Sequence, residues 1–314
     1  MANIVGALAA SHSPLMLTSF DKAPEKERER IAKGFEFQRR KVEELKPDVI
    51  LSISNDHLRE LNVSNMPQFL IGIGETVNTL GDWGLPELTY QNNQPLAQHV
   101  LTSLIDNEFD MSYSTDLKLD HGHAQILYYL RPEGDIPIIP ITINTCAHPF
   151  PTFKRCFDLG VKLREAILSY TEDLRVLLIA SGGLSHWPSV PKVFNGIPEQ
   201  AQQLSSENKL TRIRAVNKMR GNINQEWDRW FLDCMANGKI KEICALTTEE
   251  VMEKAGEGGQ EVRNWTCMWG AVGGSPAQVI AYEAVKDWIT GMALVEFQLN
   301  KELTTNQEYT TYRG

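Results

Sequence analysis

The sequence has neither an excess of basic residues nor a long apolar run. Its 314 residues include 31 Lys and Arg against 40 Asp and Glu, which gives a formal net charge of −9 at pH 7. Phosphate binding needs clustered Lys and Arg, and no basic stripe offsets this deficit, so we expect no nucleic-acid partner. No apolar run approaches the roughly 20 residues that a transmembrane helix needs, so we expect no membrane span.

Signatures of secretion and of disulfide bonding are also missing. The apolar start of the chain has no positive region before it, which predicts that there is no signal peptide. The five cysteines are odd in number and form no Cys-x-x-Cys pair. We therefore expect reduced packing thiols and a cytoplasmic protein.

The patterning of the sequence indicates one α/β domain. Hydrophobic residues make up 42% and charged residues 23% of the chain, which is typical of globular proteins. Strand and helix patterns alternate, which predicts a single domain over 1–314 with a central, mostly parallel sheet flanked by helices. The polar segment 192–222 is expected to form a helical flap within it, and 300–314 a tail.

The local patterns give approximate bounds for the elements. Strands are predicted at 4–10, 48–54, 68–73, 111–119, 136–143, 175–180, 277–285 and 288–299. Helices are predicted at 24–46, 95–105, 153–170, 223–237, 248–255 and 260–272. The segment 74–87, punctuated by Gly and Pro, is predicted to be a loop.

Four of the seven histidines follow predicted strands, each beside Asp, Ser or Gly. A single histidine at a strand end is usually structural, but four of them favour a shared site. Ligands of open α/β sheets bind beyond the carboxyl ends of the strands, so we expect the site there. The four are His12, His57, His121 and His186.

The three other histidines are assigned differently. His99 and His148 lack the strand-end context, and we expect both to be structural. His123 stays open, because a strand extended through it would point it the same way as His121.

Glu261 is singled out among the acidic residues by helical phase. At 3.6 residues per turn it shares an apolar stripe with Trp265 and Met268. A carboxylate on an apolar face is costly to bury unless it is paired or binds a metal. The alternative is a half-exposed glutamate in the first helical turn, favoured by the helix dipole. Two imidazoles and one carboxylate are a typical non-haem Fe(II) ligand set.

Six short motifs, taken in order, resemble the class III extradiol ring-cleavage dioxygenases, the family of protocatechuate 4,5-dioxygenase β subunits. The resemblance covers roughly residues 3–298. The motifs are Ser11-His12-Ser13-Pro14, Asn55-Asp56-His57, Met66-Pro67 with Gly72-Ile-Gly74, Asp120-His121-Gly122, Ser181-Gly-Gly-Leu-Ser-His186, and the segment 255–265.

The resemblance implies the reaction and the roles of the residues. It implies that His12, His57 and Glu261 bind Fe(2+), and that His121 and His186 are acid–base groups. The implied reaction is extradiol cleavage of a catechol with insertion of both atoms of O2. Relatives act on protocatechuate, gallate or 2,3-dihydroxyphenylpropionate, so a carboxylated catechol is the expected substrate. A homo-oligomer is common among relatives, and some pair with a small α subunit.

Two other functions are compatible with the same residues. A zinc hydrolase could use the same ligand set with bound hydroxide. A non-catalytic relative of the Memo type could bind metal or peptide, although it would not need Glu261 together with His121 and His186. The sequence leaves open which catechol is cleaved and which bond beside the diol is cut.

Overall fold

The computed structural model describes residues 1–187 and 222–300. Its strands are β1 Asn3–Ala10, β2 Val49–Ser54, β3 Phe69–Gly72, β4 Thr76–Thr79, β5 Thr89–Gln91, β6 Ser112–Ser114, β7 Lys118–Leu119, β8 Ile138–Ile143, β9 Arg175–Ser181, β10 Ala277–Val285 and β11 Thr290–Phe297. Its α-helices are α1 Pro14–Thr18, α2 Glu25–Leu45, α3 Gln94–Asp106, α4 His121–Leu130, α5 Phe153–Ser169, α6 Gln225–Ala236, α7 Ile240–Cys244, α8 Thr248–Ala255 and α9 Val262–Ala271.

The predicted α/β domain with a large, mostly parallel sheet is confirmed. Eight strands form the sheet in the order β10-β11-β1-β9-β2-β8-β3-β6. The central strands β1, β9, β2 and β8 are parallel to one another, whereas β11 pairs antiparallel with β1, and β3 pairs antiparallel with β8. The carboxyl ends of β1, β9 and β2 therefore lie side by side at one edge of the sheet.

Helices cover both faces of this sheet. Successive residues of β2 alternate between two cores, with Ile50 in one and Leu51 in the other. Ile31 of α2 and Leu127 of α4 belong to the first core, and Leu163 of α5 to the second. Because both faces of β2 are buried, its sequence is a nearly continuous apolar run instead of an alternating one.

The prediction of a single strand at 111–119 is wrong. The chain forms β6 and β7 there, and these short strands pair with β3 in the large sheet and with β4 in a separate three-stranded sheet. Between them, the Asp116 N–H donates to Ser114 Oγ at 3.2 Å. Local side-chain bonds of this kind favour a turn over a continuous ladder.

The loop predicted at 74–87 is only partly right. Residues 76–79 form β4, which pairs with β5 and β7 in the three-stranded sheet. Val77 and Thr79 are buried, while the neighbouring Thr76 and Asn78 are partly exposed. The segment is short and its pairing partners lie elsewhere in the chain, so the local pattern gave little sign of a strand.

Some predictions fall outside the described residues. The flap expected at 192–222 lies outside them, apart from residue 222. The tail expected at 300–314 also lies outside them, apart from residue 300. All five cysteines lie in the described ranges, and none of them is paired in a disulfide. Among the described helices, none has both the length and the apolar character needed to cross a membrane.

Candidate active site

Three of the candidate histidines lie beyond the carboxyl ends of adjacent strands. His12 follows β1, His57 follows β2 and His186 follows β9, and β9 lies between the other two strands. All three strands run the same way, so the loops after them share one edge of the sheet. The parallel pairing thus brings together histidines that are up to 174 positions apart in the sequence.

Donor atoms of His12, His57 and Glu261 converge at this edge. The two Nε2 atoms of the histidines are 3.3 Å apart. Glu261 Oε1 lies 3.1 Å from His57 Nε2, and Glu261 Oε2 lies 3.6 Å from His12 Nε2. Ligands at neighbouring positions around an ion with bonds of about 2.1 Å have a similar spacing. The three side chains therefore fit a divalent transition metal.

The ring nitrogen of each histidine that faces away from Glu261 is hydrogen-bonded, and so is one carboxylate oxygen of Glu261. His12 Nδ1 lies 2.8 Å from Ser181 Oγ, and His57 Nδ1 lies 2.8 Å from Asp120 Oδ2. Such partners of metal-binding histidines fix the orientation of the ring and its tautomer. Glu261 Oε2 accepts from the Gly183 N–H at 2.6 Å. Both imidazoles consequently turn Nε2 toward the carboxylate.

Glu261 is buried, which rules out the half-exposed alternative. The residue is 4% exposed and belongs to a 3-10 turn, Gly258–Glu261, that runs directly into α9. Gly182 allows this close packing, since a Cβ there would lie 2.8 Å from the Glu261 carbonyl oxygen. Burial alone would raise the pKa of Glu261, but the neighbouring His12, His186 and His57 hold it well below its usual value.

The two histidines beside Glu261 differ in their electrostatics. Burial lowers the pKa of His12 to about 3, although Glu261 opposes this shift. Burial would likewise lower the pKa of His57, but Asp120 and Glu261 raise it well above its usual value. His12 is therefore neutral, which is the form of histidine that can bind a metal, whereas the two carboxylates beside His57 favour its protonated form.

His121 lies at the same site but comes from a different element. It is the first residue of α4, whose N-cap is Asp120. Its ring stacks on His57 with 4.1 Å between ring centroids, and its Nδ1 lies 2.9 Å from Asp82 Oδ2. His12, His57 and His121 each have one ring nitrogen that lies within 4.8 Å of the corresponding nitrogen of the other two. His121 is thus an alternative third ligand to Glu261.

His186 also lies beside Glu261. Its Nδ1 donates to the Leu184 carbonyl oxygen at 2.8 Å, and its Nε2 lies 3.7 Å from Glu261 Oε1. A Cβ on Gly258 would overlap the His186 ring, so glycine is needed at that position. Burial alone would lower the pKa of His186, but Glu261 raises it above its usual value.

His123 lies outside this cluster. Residues 121 and 123 are on a helix and not on an extended strand, so their side chains diverge by about 200°. His123 Nδ1 is 2.9 Å from Ser52 Oγ, and burial lowers the pKa of the ring to about 4. His99, as expected, has a structural environment, because its Nε2 bonds to the Ala166 carbonyl oxygen and Ser169 Oγ on α5.

The sequence-based reasoning missed three side chains that hold the cluster in place. Asp120 binds both the ring and the backbone N–H of His57, Asp82 binds His121, and Ser181 binds His12. Asp120 and Ser181 were quoted only as parts of motifs, and Asp82 lies in the segment predicted to be a loop. An acidic residue directly before a candidate histidine, as in Asp120-His121, was the one local signal.

Comparison with known proteins identifies the family. The family described as "Catalytic LigB subunit of aromatic ring-opening dioxygenase" matches residues 6–294. The chain is 30% identical over 314 residues to a 2,3-dihydroxyphenylpropionate/2,3-dihydroxicinnamic acid 1,2-dioxygenase of Photorhabdus laumondii, covering 94% of this chain and 97% of that protein. It is 31% identical over 316 residues to the enzyme of the same name from Rhodococcus globerulus, covering 91% and 96%.

The match spans the strand-end histidines and Glu261, and the relatives align over nearly their whole length. The chain therefore belongs to the family of catalytic LigB subunits of aromatic ring-opening dioxygenases, and it is an extradiol ring-cleavage dioxygenase.

Proposed function

We propose that this enzyme uses one Fe(II), bound by His12, His57 and Glu261, to cleave a carboxylated catechol with insertion of both atoms of O2. The convergence of the three donor groups within 3.6 Å of one another is the observation that carries the proposal. Two imidazoles and a carboxylate on one side of the ion are typical of non-haem Fe(II) oxygenases. When bound, the ion would supply adjacent positions for the catechol and O2.

The remaining chemistry falls to His121 and His186. A catechol must lose protons as it binds, and a proton must be returned as the ring opens. His186 donates through Nδ1 to the Leu184 carbonyl oxygen, and His121 has Asp82 at its Nδ1. Nε2 of each ring is thereby available for proton transfer with the substrate. Histidine suits this role because its ordinary pKa lies near neutrality.

The choice between iron and zinc is tested with the metal-free enzyme. We expect Fe(II) to restore O2 uptake with formation of the yellow ring-opened product, and Zn(II) to restore neither. We also expect activity to fall in air and to return with Fe(II) and a reductant. Activity with Zn(II) in the absence of O2 consumption would favour a hydrolase instead and would contradict the proposal.

The substrate is proposed to carry a carboxylate near the diol. The relatives described above are named for 2,3-dihydroxyphenylpropionate and 2,3-dihydroxycinnamic acid, which both have one. Arg59 is the cation that we assign to it. Its side chain is 37% exposed, and its Nε lies 3.8 Å from the Asp82 carboxylate that contacts His121. The guanidinium therefore lies at the edge of the histidine cluster, where its outer nitrogens can meet a substrate carboxylate.

Replacing Arg59 by Gln is expected to raise KM for carboxylated catechols by about tenfold, because a hydrogen bond to a charged group is worth about 1.5–3 kcal/mol and partial exposure weakens it. For unsubstituted catechol, which has no carboxylate, KM should not change. The measurement is steady-state O2 uptake on a panel of substituted catechols, with Arg59→Lys as the variant that keeps the charge. An equal rise in KM for both kinds of substrate would remove Arg59 from this role.

The remaining expectations concern assembly and location. A homo-oligomer and a small α subunit are proposed from the relatives of this family, and size-exclusion chromatography with light scattering would measure the first. A cytoplasmic location is proposed because all five cysteines are free, which suits a reducing compartment.

A further inference from the structure

We propose that Asp82 is a positioning residue that holds His121 in the orientation needed for proton transfer. The inference rests on the proposed role of His121 in the reaction. Asp82 Oδ2 lies 2.9 Å from His121 Nδ1, and the two side chains are 6% and 5% exposed. A buried carboxylate at Nδ1 fixes both the tautomer and the direction of the ring. Nε2 of His121 is then the nitrogen left to face the substrate.

The neighbouring carboxylate, Asp120, does not serve this purpose. Its Oδ2 is 3.7 Å from His121 Nδ1 and accepts instead from the ring and the backbone N–H of His57, at 2.8 Å each. Its Oδ1 accepts from the Gly122 N–H at the start of α4. Asp120 is therefore committed to His57 and to the helix, and Asp82 is the hydrogen-bonding carboxylate of His121.

The side-chain contacts of Asp82 differ from those of a carboxylate that only stabilises the fold. Within the described ranges, its one side-chain hydrogen bond is the one with His121, and its Oδ1 is buried without a partner. Arg59 adds a longer contact to Oδ2, at 3.8 Å. A buried carboxylate with an unpaired oxygen costs free energy, whereas Asp120 is satisfied at both oxygens. Asp82 is thus buried at a cost and in contact with a histidine of the site.

The turn around Asp82 also contains one residue, Trp83, in a strained backbone conformation. Gly81, Trp83 and Gly84 have φ values of 62°, 56° and 86°. A tryptophan rarely adopts positive φ, and such strain collects at functional sites. The Trp83 ring meets the His121 ring edge-on with 6.0 Å between centroids, and the turn packs against α1, which follows His12. The turn therefore brings both Asp82 and Trp83 to the same histidine.

Two variants of nearly equal size separate positioning from packing. Asp82→Asn keeps an oxygen that can accept from His121 Nδ1–H, and Asp82→Leu removes the acceptor. Loss of such a carboxylate partner from a metal-binding histidine typically lowers metal affinity or activity by about 10–100-fold, and we take the same range for the loss of kcat here. We expect Asp82→Leu to lower kcat by about that factor with KM and iron content nearly unchanged, and Asp82→Asn to recover most of the loss. Asp82→Ala serves in place of Asp82→Leu if the latter does not fold, and the exposed Asp110→Asn is the control.

A second measurement does not depend on turnover. In the metal-free full chain labelled with nitrogen-15, the Nδ1–H proton of His121 should give a downfield resonance that disappears in His121→Phe. We expect Asp82→Leu to remove or shift it strongly and Asp82→Asn to retain it. A resonance unchanged in Asp82→Leu, or a kcat equal to that of wild type, would overturn the positioning role. If His121→Phe itself turned over normally, the proposed function would fail instead, and the resonance would still report the Asp82 contact.

Discussion

Glu261→Ala is expected to abolish iron retention and to reduce ring cleavage to below about 1% of wild type. The carboxylate contacts Nε2 of both His12 and His57, so its loss leaves two imidazoles to hold the ion. Even outer partners of metal ligands are worth about 10–100-fold in affinity or activity, and a direct ligand should be worth more. The measurement is iron per chain after gel filtration, together with O2 uptake on a carboxylated catechol.

The matched control is Glu253→Ala, which removes an exposed glutamate from α8 in the same region of the chain. It should retain both iron and activity. Circular dichroism should show that Glu261→Ala is folded, since the backbone of residue 261 lies in a 3-10 turn that packs against α8 and α9. Full iron occupancy in folded Glu261→Ala would transfer the third ligand position to His121, whose ring nitrogen also lies within 4.8 Å of those of His12 and His57.

His121→Phe and His186→Phe are each expected to lower turnover by about 10²–10⁴-fold while iron stays bound. That range is typical of general acid–base catalysis. Phenylalanine keeps a ring of similar size, so the stacking of residue 121 on His57 can persist while the proton-transfer nitrogen is lost. The measurement is kcat from O2 uptake, with iron content determined on the same samples.

His99→Gln is the control for these variants, because His99 bonds to α5 away from the cluster. It should leave kcat within about twofold of wild type, as expected for a substitution remote from the chemistry. Loss of iron in His121→Phe or His186→Phe would make that residue a ligand. Unchanged turnover in either would return that histidine to a structural role.

Most of the fold could be predicted where the local sequence decides the structure. The apolar run of β2 and the amphipathic face of α2 are local signals, and both elements form within one residue of the predicted bounds. The prediction of one strand at 111–119 was wrong because a turn interrupts the segment, where the Asp116 N–H donates to Ser114 Oγ. The alternation of polar and apolar residues does not reveal a hydrogen bond of this kind. β4 was missed because its pairing partners, β5 and β7, are remote from the local pattern.

The histidines and the glutamate of the candidate site could be predicted from the sequence, whereas the residues that hydrogen-bond to them could not. Strand ends and helical phase singled out His12, His57, His121, His186 and Glu261, and the structure brings all five together. His123 could not be placed, because the answer depends on whether α4 begins before or after it. Asp82 gave no signal at all, since its contact with His121 spans 39 residues and two elements.

The most direct test of the ligand assignment is a crystal structure of the Fe(II)-loaded enzyme with diffraction data collected at the iron absorption edge. We predict one anomalous peak per chain, within about 2.3 Å of His12 Nε2, His57 Nε2 and a carboxylate oxygen of Glu261, as for metal–ligand bonds of about 2.0–2.2 Å. Two alternative positions are defined by the described side chains, one among His12, His57 and His121 and one among Asp82, Asp120 and His121. A peak at either of these, with Glu261 not bound to the ion, would contradict the assignment.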